Sequence, residues 1–171
     1  MSRGHDSLGP AMKIAGDEWT KKEDTMPIPR LILCLLLCAL FITQAQAEDL
    51  GNLSANPFDF NSTANPFGQG SAFAPNGVNN PFSPYGSPFS NQSATNPFAT
   101  DAPRLYDGEG HYRGKLSGNP YDPDSTSNQF GRYGSPFSPD SLNNPYGAGN
   151  PFRHDSPKNP YGQGWKIEGS R

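Results

Sequence analysis

Hydrophobic positions follow neither a helical nor a strand period along most of this chain. Apolar residues form one dense run, Leu31 to Ile42. Beyond it, only isolated aromatic rings recur. In residues 50–98 they stand at Phe58, Phe67, Phe73, Phe82, Phe89 and Phe98, with gaps of 9, 6, 9, 7 and 9. In residues 113–161 they stand at Tyr121, Phe130, Phe137, Tyr146, Phe152 and Tyr161, with gaps of 9, 7, 9, 6 and 9. This spacing gives a unit of 15 to 16 residues with two aromatic corners, and two copies of a longer pattern offset by 63 residues, slipping to 64. Leu53-Ser54-Ala55-Asn56-Pro57-Phe58-Asp59 is matched by Leu116-Ser117-Gly118-Asn119-Pro120-Tyr121-Asp122.

The elements predicted from this pattern are few. Most corners read Asn/Ser-Pro-Phe/Tyr. Proline fixes its own φ and drives the preceding Asn or Ser away from helix, and Asn and Ser side chains close turns on their own backbone. Recurrent proline also excludes long strand ladders. Between the copies, Arg104 to Leu116 places large residues on both sides of Asp107-Gly108-Glu109-Gly110, which predicts a short β-hairpin near 104–116.

Composition sharpens the expectation of order. Of 171 residues, 19 are Gly and 19 are Pro. Residues 48–171 hold seven aliphatic side chains: Leu50, Leu53, Val78, Leu105, Leu116, Leu142 and Ile167. So small a set does not offset the entropy of ordering that length of chain. The fold class expected is therefore mostly irregular or disordered turn-rich repeats, with aromatic stickers between polar spacers. The alternative is a compact array in which rings stack between neighbouring units.

Residues 26–47 read as a secretory signal peptide, with a helix near 30–46. Arg30 precedes the apolar run, and Ala45-Gln46-Ala47 offers a small-x-small cleavage site before Glu48-Asp49. The run is shorter than the roughly 20 residues of a membrane span, so no stable span is expected after cleavage. The signal starts at Met26, which makes residues 1–25 a misassigned upstream extension. The domains expected are then copy 1 over 48–99, a linker with the hairpin start over 100–112, and copy 2 with the tail over 113–171. Cys34 and Cys38 both lie inside the signal, leaving residues 48–171 without cysteine, disulfide or thiolate site.

Candidate chemistry is sparse. The net charge of −3 and scattered single charges argue against nucleic acid and against a polybasic membrane binder. His111 and His154 belong to no triad pattern, so no enzyme and no catalytic residue is expected. Asp122-Pro123-Asp124-Ser125-Thr126-Ser127-Asn128 spaces oxygens like a calcium loop, but it lacks the permissive Gly and the closing Glu; Asx-turns explain it equally well, and no cofactor or metal is expected. Asn-Pro-Phe tripeptides resemble ligands of EH domains, a cytosolic role at odds with an export signal. Asn-x-Ser/Thr sites at 52, 61 and 91 are expected by chance in so Asn- and Ser-rich a chain.

Residues 121–128, 133–149 and 159–167, with Tyr-Gly-Ser-Pro-Phe, Asn-Asn-Pro-Tyr-Gly and Asn-Pro-Tyr-Gly-Gln-Gly-Trp among them, resemble uncharacterised secreted bacterial proteins with tandem Asn-Pro-Tyr and Ser-Pro-Tyr turn repeats. The resemblance covers about residues 102–168 and implies no activity, ligand or catalytic residue. Copy 1 departs from it, with Phe at its corners and Asn76-Gly77 in place of Asp140-Ser141.

The function expected is an exported, periplasmic or extracellular, non-enzymatic protein that binds or self-assembles through multivalent aromatic turns. The partner-binding residues expected are Phe58, Phe67, Phe82, Phe98, Tyr121, Phe137, Tyr146, Phe152, Tyr161 and Trp165. The partner is an envelope or extracellular component, or the chain itself. The alternative is a small folded envelope module with one specific site at the 106–116 hairpin or the Trp165 tail.

Overall fold

The structure is a computed structural model and describes residues 47–169. The upstream extension and the signal-peptide helix lie outside the described residues. Within them there is no helix, and four strands form one antiparallel sheet: β1 (Glu48–Leu53), β2 (Arg104–Tyr106), β3 (Tyr112–Lys115) and β4 (Trp165–Gly169), in the order β1-β4-β2-β3. The hairpin expected near 104–116 is present as β2 and β3. Their register pairs Arg104 with Lys115 and Tyr106 with Tyr112, and the Asp107 N–H donates to the His111 carbonyl at the turn. The hairpin start within residues 100–112 is β2, an inner strand with Leu105 fully buried.

Everything between the strands is a succession of β-turns, and the turns are ordered. In copy 2 a turn bond recurs at almost every third residue: Ser125 N–H to Asp122 O, Asn128 to Ser125, Gly131 to Asn128, and so on to Gly162 to Asn159. Copy 1 does the same from Asp59 to Ser83. Each residue that accepts one bond donates the next, so one residue in three faces inward and the two between face out. Asn80, Pro81, Phe82 and Ser83 show the rhythm as buried, exposed, exposed, buried.

Side chains close these turns. At nine corners the Asn Oδ1 accepts the N–H of the aromatic residue two positions on, at 2.9–3.0 Å. At Ser71, Ser87 and Ser135 the Oγ takes that place at 3.2–3.4 Å. Alternate corners are always Asn, and their amide has a second use. Asn80, Asn96, Asn128, Asn144 and Asn159 each donate Nδ2 to the carbonyl six residues back, at 2.8–3.1 Å. Ser is too short for both bonds, so it is confined to the other corner class. Buried Ser62 and Ser125 donate to the carbonyls of Ser54 and Ser117, at equivalent places in the two copies.

A single irregularity per copy explains the uneven aromatic gaps. At Ser83–Ser87 and Gly131–Ser135 the bond spans four residues instead of three. The extra residue makes a gap of 7 from one of 6. It also turns its own ring inward: Tyr85 is 4% exposed and Tyr133 is 8% exposed, unlike the corner rings.

The seven aliphatics are all used. Leu50, Val78, Leu105 and Ile167 join Tyr85, Ala148 and Trp165 in one cluster, with Leu53, Leu116 and Leu142 packed against it. The expectation of disorder counted apolar area and omitted what the turns supply. Backbone groups are paired turn by turn, and proline lowers the entropy the unfolded chain has to lose.

The two copies are joined by exchange. Carried out to the strands that flank it, copy 1 runs from β1 to β2, residues 48–106, and copy 2 from β3 to β4, residues 112–169. Every strand pairing crosses between copies. The last strands run antiparallel with Leu105 opposite Ile167, and each copy's first strand lies beside the other's last strand. Asn52 opposite Lys166 corresponds to Lys115 opposite Arg104, and Asp49 opposite Glu168 corresponds to Tyr112 opposite Tyr106. The sheet therefore has a local two-fold relation centred on β2 and β4. Gly51 (φ 86°) and Gly114 (φ 93°) occupy the same place in the two outer strands, where the register shifts and L side chains are strained.

Asn144→Ala removes both the turn acceptor and the donor to Ser138 O at a buried site. Unfolding free energy is expected to fall by about 1–3 kcal/mol, read by urea denaturation. Pro145→Ala, on the exposed side of the same turn, is expected to cost less. Equal losses would mean that the Asn side chain is not what holds the turn.

Candidate interaction surface

The corner rings are displayed, not packed. The twelve of them are 82–98% exposed, and Phe60 adds a thirteenth at 67%. Nine of the ten partner-binding residues expected from the sequence are among them: Phe58, Phe67, Phe82, Phe98, Tyr121, Phe137, Tyr146, Phe152 and Tyr161. Phe73, Phe89 and Phe130 are equally exposed and complete the array. Stacking between neighbouring units, the ordered alternative in the sequence reading, is therefore not how the repeats hold together. Each ring sits one place before the closing residue of its turn, with its own N–H held by the Asn or Ser at the corner. The preceding proline is also exposed at all ten corners that carry one. Each such corner offers a proline ring and an aromatic ring side by side on a rigid turn.

Trp165 is placed differently. It opens β4 opposite Leu53 and is 1% exposed, inside the core. Its indole N–H has no hydrogen-bond partner, and the Arg113 guanidinium lies 5.9 Å from its ring centroid. The signal in the residues that separates it from the corner rings is the lack of Asn/Ser-Pro before it.

Successive rings flank clefts. Phe67 and Phe73, six residues apart, border an open cleft of about 340 Å³ with Phe60, Gln69 and Pro75. A second cleft of about 330 Å³ lies against the inner side of copy 1, lined by Leu53, Val78, Ala94, Leu116, Asn79 and Thr95. The residue in copy 2 that corresponds to Val78 is the larger Leu142.

The hairpin between the copies is internally engaged. Asp107 is buried; its Oδ1 accepts the N–H groups of Glu109 and His111, and its Oδ2 meets the Arg113 guanidinium at 2.8–2.9 Å. Arg113 also reaches Asp140 at 3.0 Å, tying the hairpin to the second coil of copy 2. Burial raises the Asp107 carboxyl, but the His111 N–H, the Arg113 pair and the Glu109 N–H outweigh it and hold it below its ordinary value. The Asp122 carboxyl is likewise low: burial raises it, but Lys115 at 2.9 Å and the Asp124 N–H prevail. In the segment spaced like a calcium loop, the Asp122, Ser125, Thr126 and Asn128 side-chain oxygens all have turn, backbone or ion-pair partners. Tyr85, buried and bonded to Glu48 at 3.0 Å, is pushed up to about 12.

Among the described residues, no group of three or more His, Cys, Asp or Glu is placed to hold a metal ion, and no helix is long and apolar enough to cross a membrane. No protein-family model matches the chain, and no curated protein and no solved structure shows significant similarity to it.

A carboxylate whose folded pKa is depressed contributes stability above its unfolded pKa and loses it as pH falls through the folded value. For Asp107 that loss is expected to begin near pH 4 and deepen below it. Asp107→Asn should melt at a lower temperature at pH 7 and show a shallower decline in Tm toward pH 2. Parallel acid limbs for the two proteins would exclude Asp107 as a source of acid sensitivity.

Proposed function

We propose that this is an exported, non-enzymatic repeat protein that binds or self-assembles through its array of aromatic turns. The observation that carries the reading is the twelve corner rings, 82–98% exposed, each with its N–H held by the corner Asn or Ser and ten of them within a turn closed by a backbone hydrogen bond. Soluble proteins rarely display so much aromatic surface without a use for it. Rigid turns also hold the rings displayed in advance, so less side-chain and backbone freedom is lost when they are covered. Many weak contacts then add through effective concentration. The net charge of −3 and the absence of a concentrated basic face support a partner other than nucleic acid.

Export is supported by the Leu31–Ile42 run and Ala45-Gln46-Ala47. Cleavage there leaves Glu48 first, and β1 starts at Glu48. Mass spectrometry of the secreted or periplasmic protein is expected to find Glu48 at its N-terminus; a peptide containing Trp19 in that fraction would overturn this processing.

A second reading is a folded envelope module with one specific site. It is favoured by the cleft between Leu53, Val78 and Leu116, which approaches the lower size range of small-ligand pockets. The readings part in a substitution series. Corner rings are changed to Ser two, four and six at a time. Binding is followed by co-sedimentation with purified cell-wall glycan and with phosphatidylglycerol vesicles, and self-association by light scattering. Multivalency predicts graded loss in whichever assay responds. Full loss from Ala94→Leu alone, with every ring intact, would instead place the activity in the cleft.

A further inference from the structure

We infer that the partner of the aromatic array is a second copy of this chain, met head to tail, with the copy 1 face of one molecule against the copy 2 face of the next. The inference rests on the multivalent reading above and names its partner.

Three observations lead to it. The first is a charge and ring asymmetry between two otherwise equivalent faces. Residues 48–99 contain three acidic residues and no Lys or Arg, and all six corner rings there are Phe. Residues 113–169 contain six Lys or Arg against five acids, and three of the six corner rings are Tyr. The copy 2 cations neighbour its rings in the chain: Arg132, paired with Asp140 at 2.7 Å, follows Phe130-Gly131; Arg153, paired with Asp155 at 2.9 Å, follows Phe152; and Lys158 precedes Asn159-Pro160-Tyr161. The net charge of −3 over 48–99 against +1 over 113–169 favours the copy 1 to copy 2 pairing over either like pairing, and Lys158 gains from the quadrupole of a facing Phe ring.

The second is size. The six nearly fully exposed rings of one copy supply on the order of 900 Å² of coverable surface, about one side of a standard protein interface. Each copy carries six.

The third is that the more ordinary route to assembly is narrowed. The outer strands of the sheet are β1 and β3, and each is bridged by its own copy's turns, at Asn52 with Ser62 and Lys115 with Ser125. Those bridges cover part of each sheet edge, while the corner rings are displayed in full. The corners are also self-complementary: a proline ring on one molecule suits a cleft such as that bordered by Phe67, Phe73 and Pro75 on another, as proline-rich segments suit aromatic grooves.

A contact between two different faces does not use itself up. Each molecule keeps one face of each kind, so the assembly grows as an open chain unless its rotation closes a ring. This sets up a test with the whole mature chain. One variant loses the copy 1 face (Phe67→Ser, Phe73→Ser, Phe82→Ser). A second loses the copy 2 face (Tyr146→Ser, Phe152→Ser, Tyr161→Ser). All six positions are exposed, and unchanged amide NMR dispersion confirms that both variants fold. Sedimentation velocity of the parent protein, from micromolar to near-millimolar, is expected to show species that grow with concentration. Each variant alone is expected to stay monomeric. An equimolar mixture is expected to stop at a one-to-one dimer, because each partner brings the face the other lacks. Added salt is expected to shift the parent's growth to higher concentration.

Dimers of the copy 2 variant alone would overturn the head-to-tail pairing in favour of copy 1 against copy 1. A parent protein monomeric throughout would overturn self-association altogether. If that monomer still co-sediments with glycan or vesicles in a ring-dependent way, the multivalent reading stands without this partner. If it binds neither, both fall.

Discussion

The hydrogen bond that the Asn Oδ1 accepts from the N–H two residues on is the interaction on which this molecule depends. It closes a three-residue turn without help from a helix or a ladder, and the next turn starts on the residue that ends the last. Asn at alternate corners does more, because its amide donates to the carbonyl two turns back. The side chain thereby serves as a piece of portable backbone. A chain with seven aliphatics in its described repeats and strands can be ordered because its polar groups are paired locally, leaving the small core to fix only how turns and strands meet.

That core is also where the duplication becomes a single fold. Neither copy has a strand pairing of its own; β1 and β4, β2 and β3, and β2 and β4 all cross from one copy to the other. The centre is the Leu105 and Ile167 pair, with Trp165, Leu50 and Tyr85 around it. The Asp107, Arg113 and Asp140 contacts then lock the short hairpin that joins the copies. An arrangement of this kind leaves the outside of each copy free to diverge while the sheet keeps them in register. The corner rings have diverged, all Phe in copy 1, Phe and Tyr in copy 2.

The three-residue period also accounts for where the rings go. With one residue in three turned inward, a side chain beside the pivot has no core to enter, and its ring stays in water. Only where a four-residue turn breaks the rhythm does a ring turn inward, at Tyr85 and Tyr133. Exposure of the array is thus a property of the backbone repeat, not of local sequence hydrophobicity, and it is what makes an interaction surface out of residues that elsewhere would build a core.

Much of this was legible in the residues. The Asn/Ser-Pro-aromatic corners, their turns, the duplication at an offset of 63 and the hairpin near 104–116 follow from local chemistry: proline's fixed φ, the reach of Asn and Ser to nearby N–H groups, and a Gly-rich turn between larger residues. The nine corner rings named from sequence are on the surface because those same local rules govern them. What only the tertiary structure decided depends on distant partners. Ordered turns instead of disorder required carbonyls six residues back to receive the Asn amides. Burial of Trp165, Tyr85 and Tyr133 required strands and turns from elsewhere in the chain to cover them. The inner position of β2, legible only as one strand of a hairpin, required β4, sixty residues on, to lie beside it. Local torsions and short side-chain bonds are written in a few neighbouring residues; which face meets another segment is set by packing between segments, and that information is spread over the whole chain.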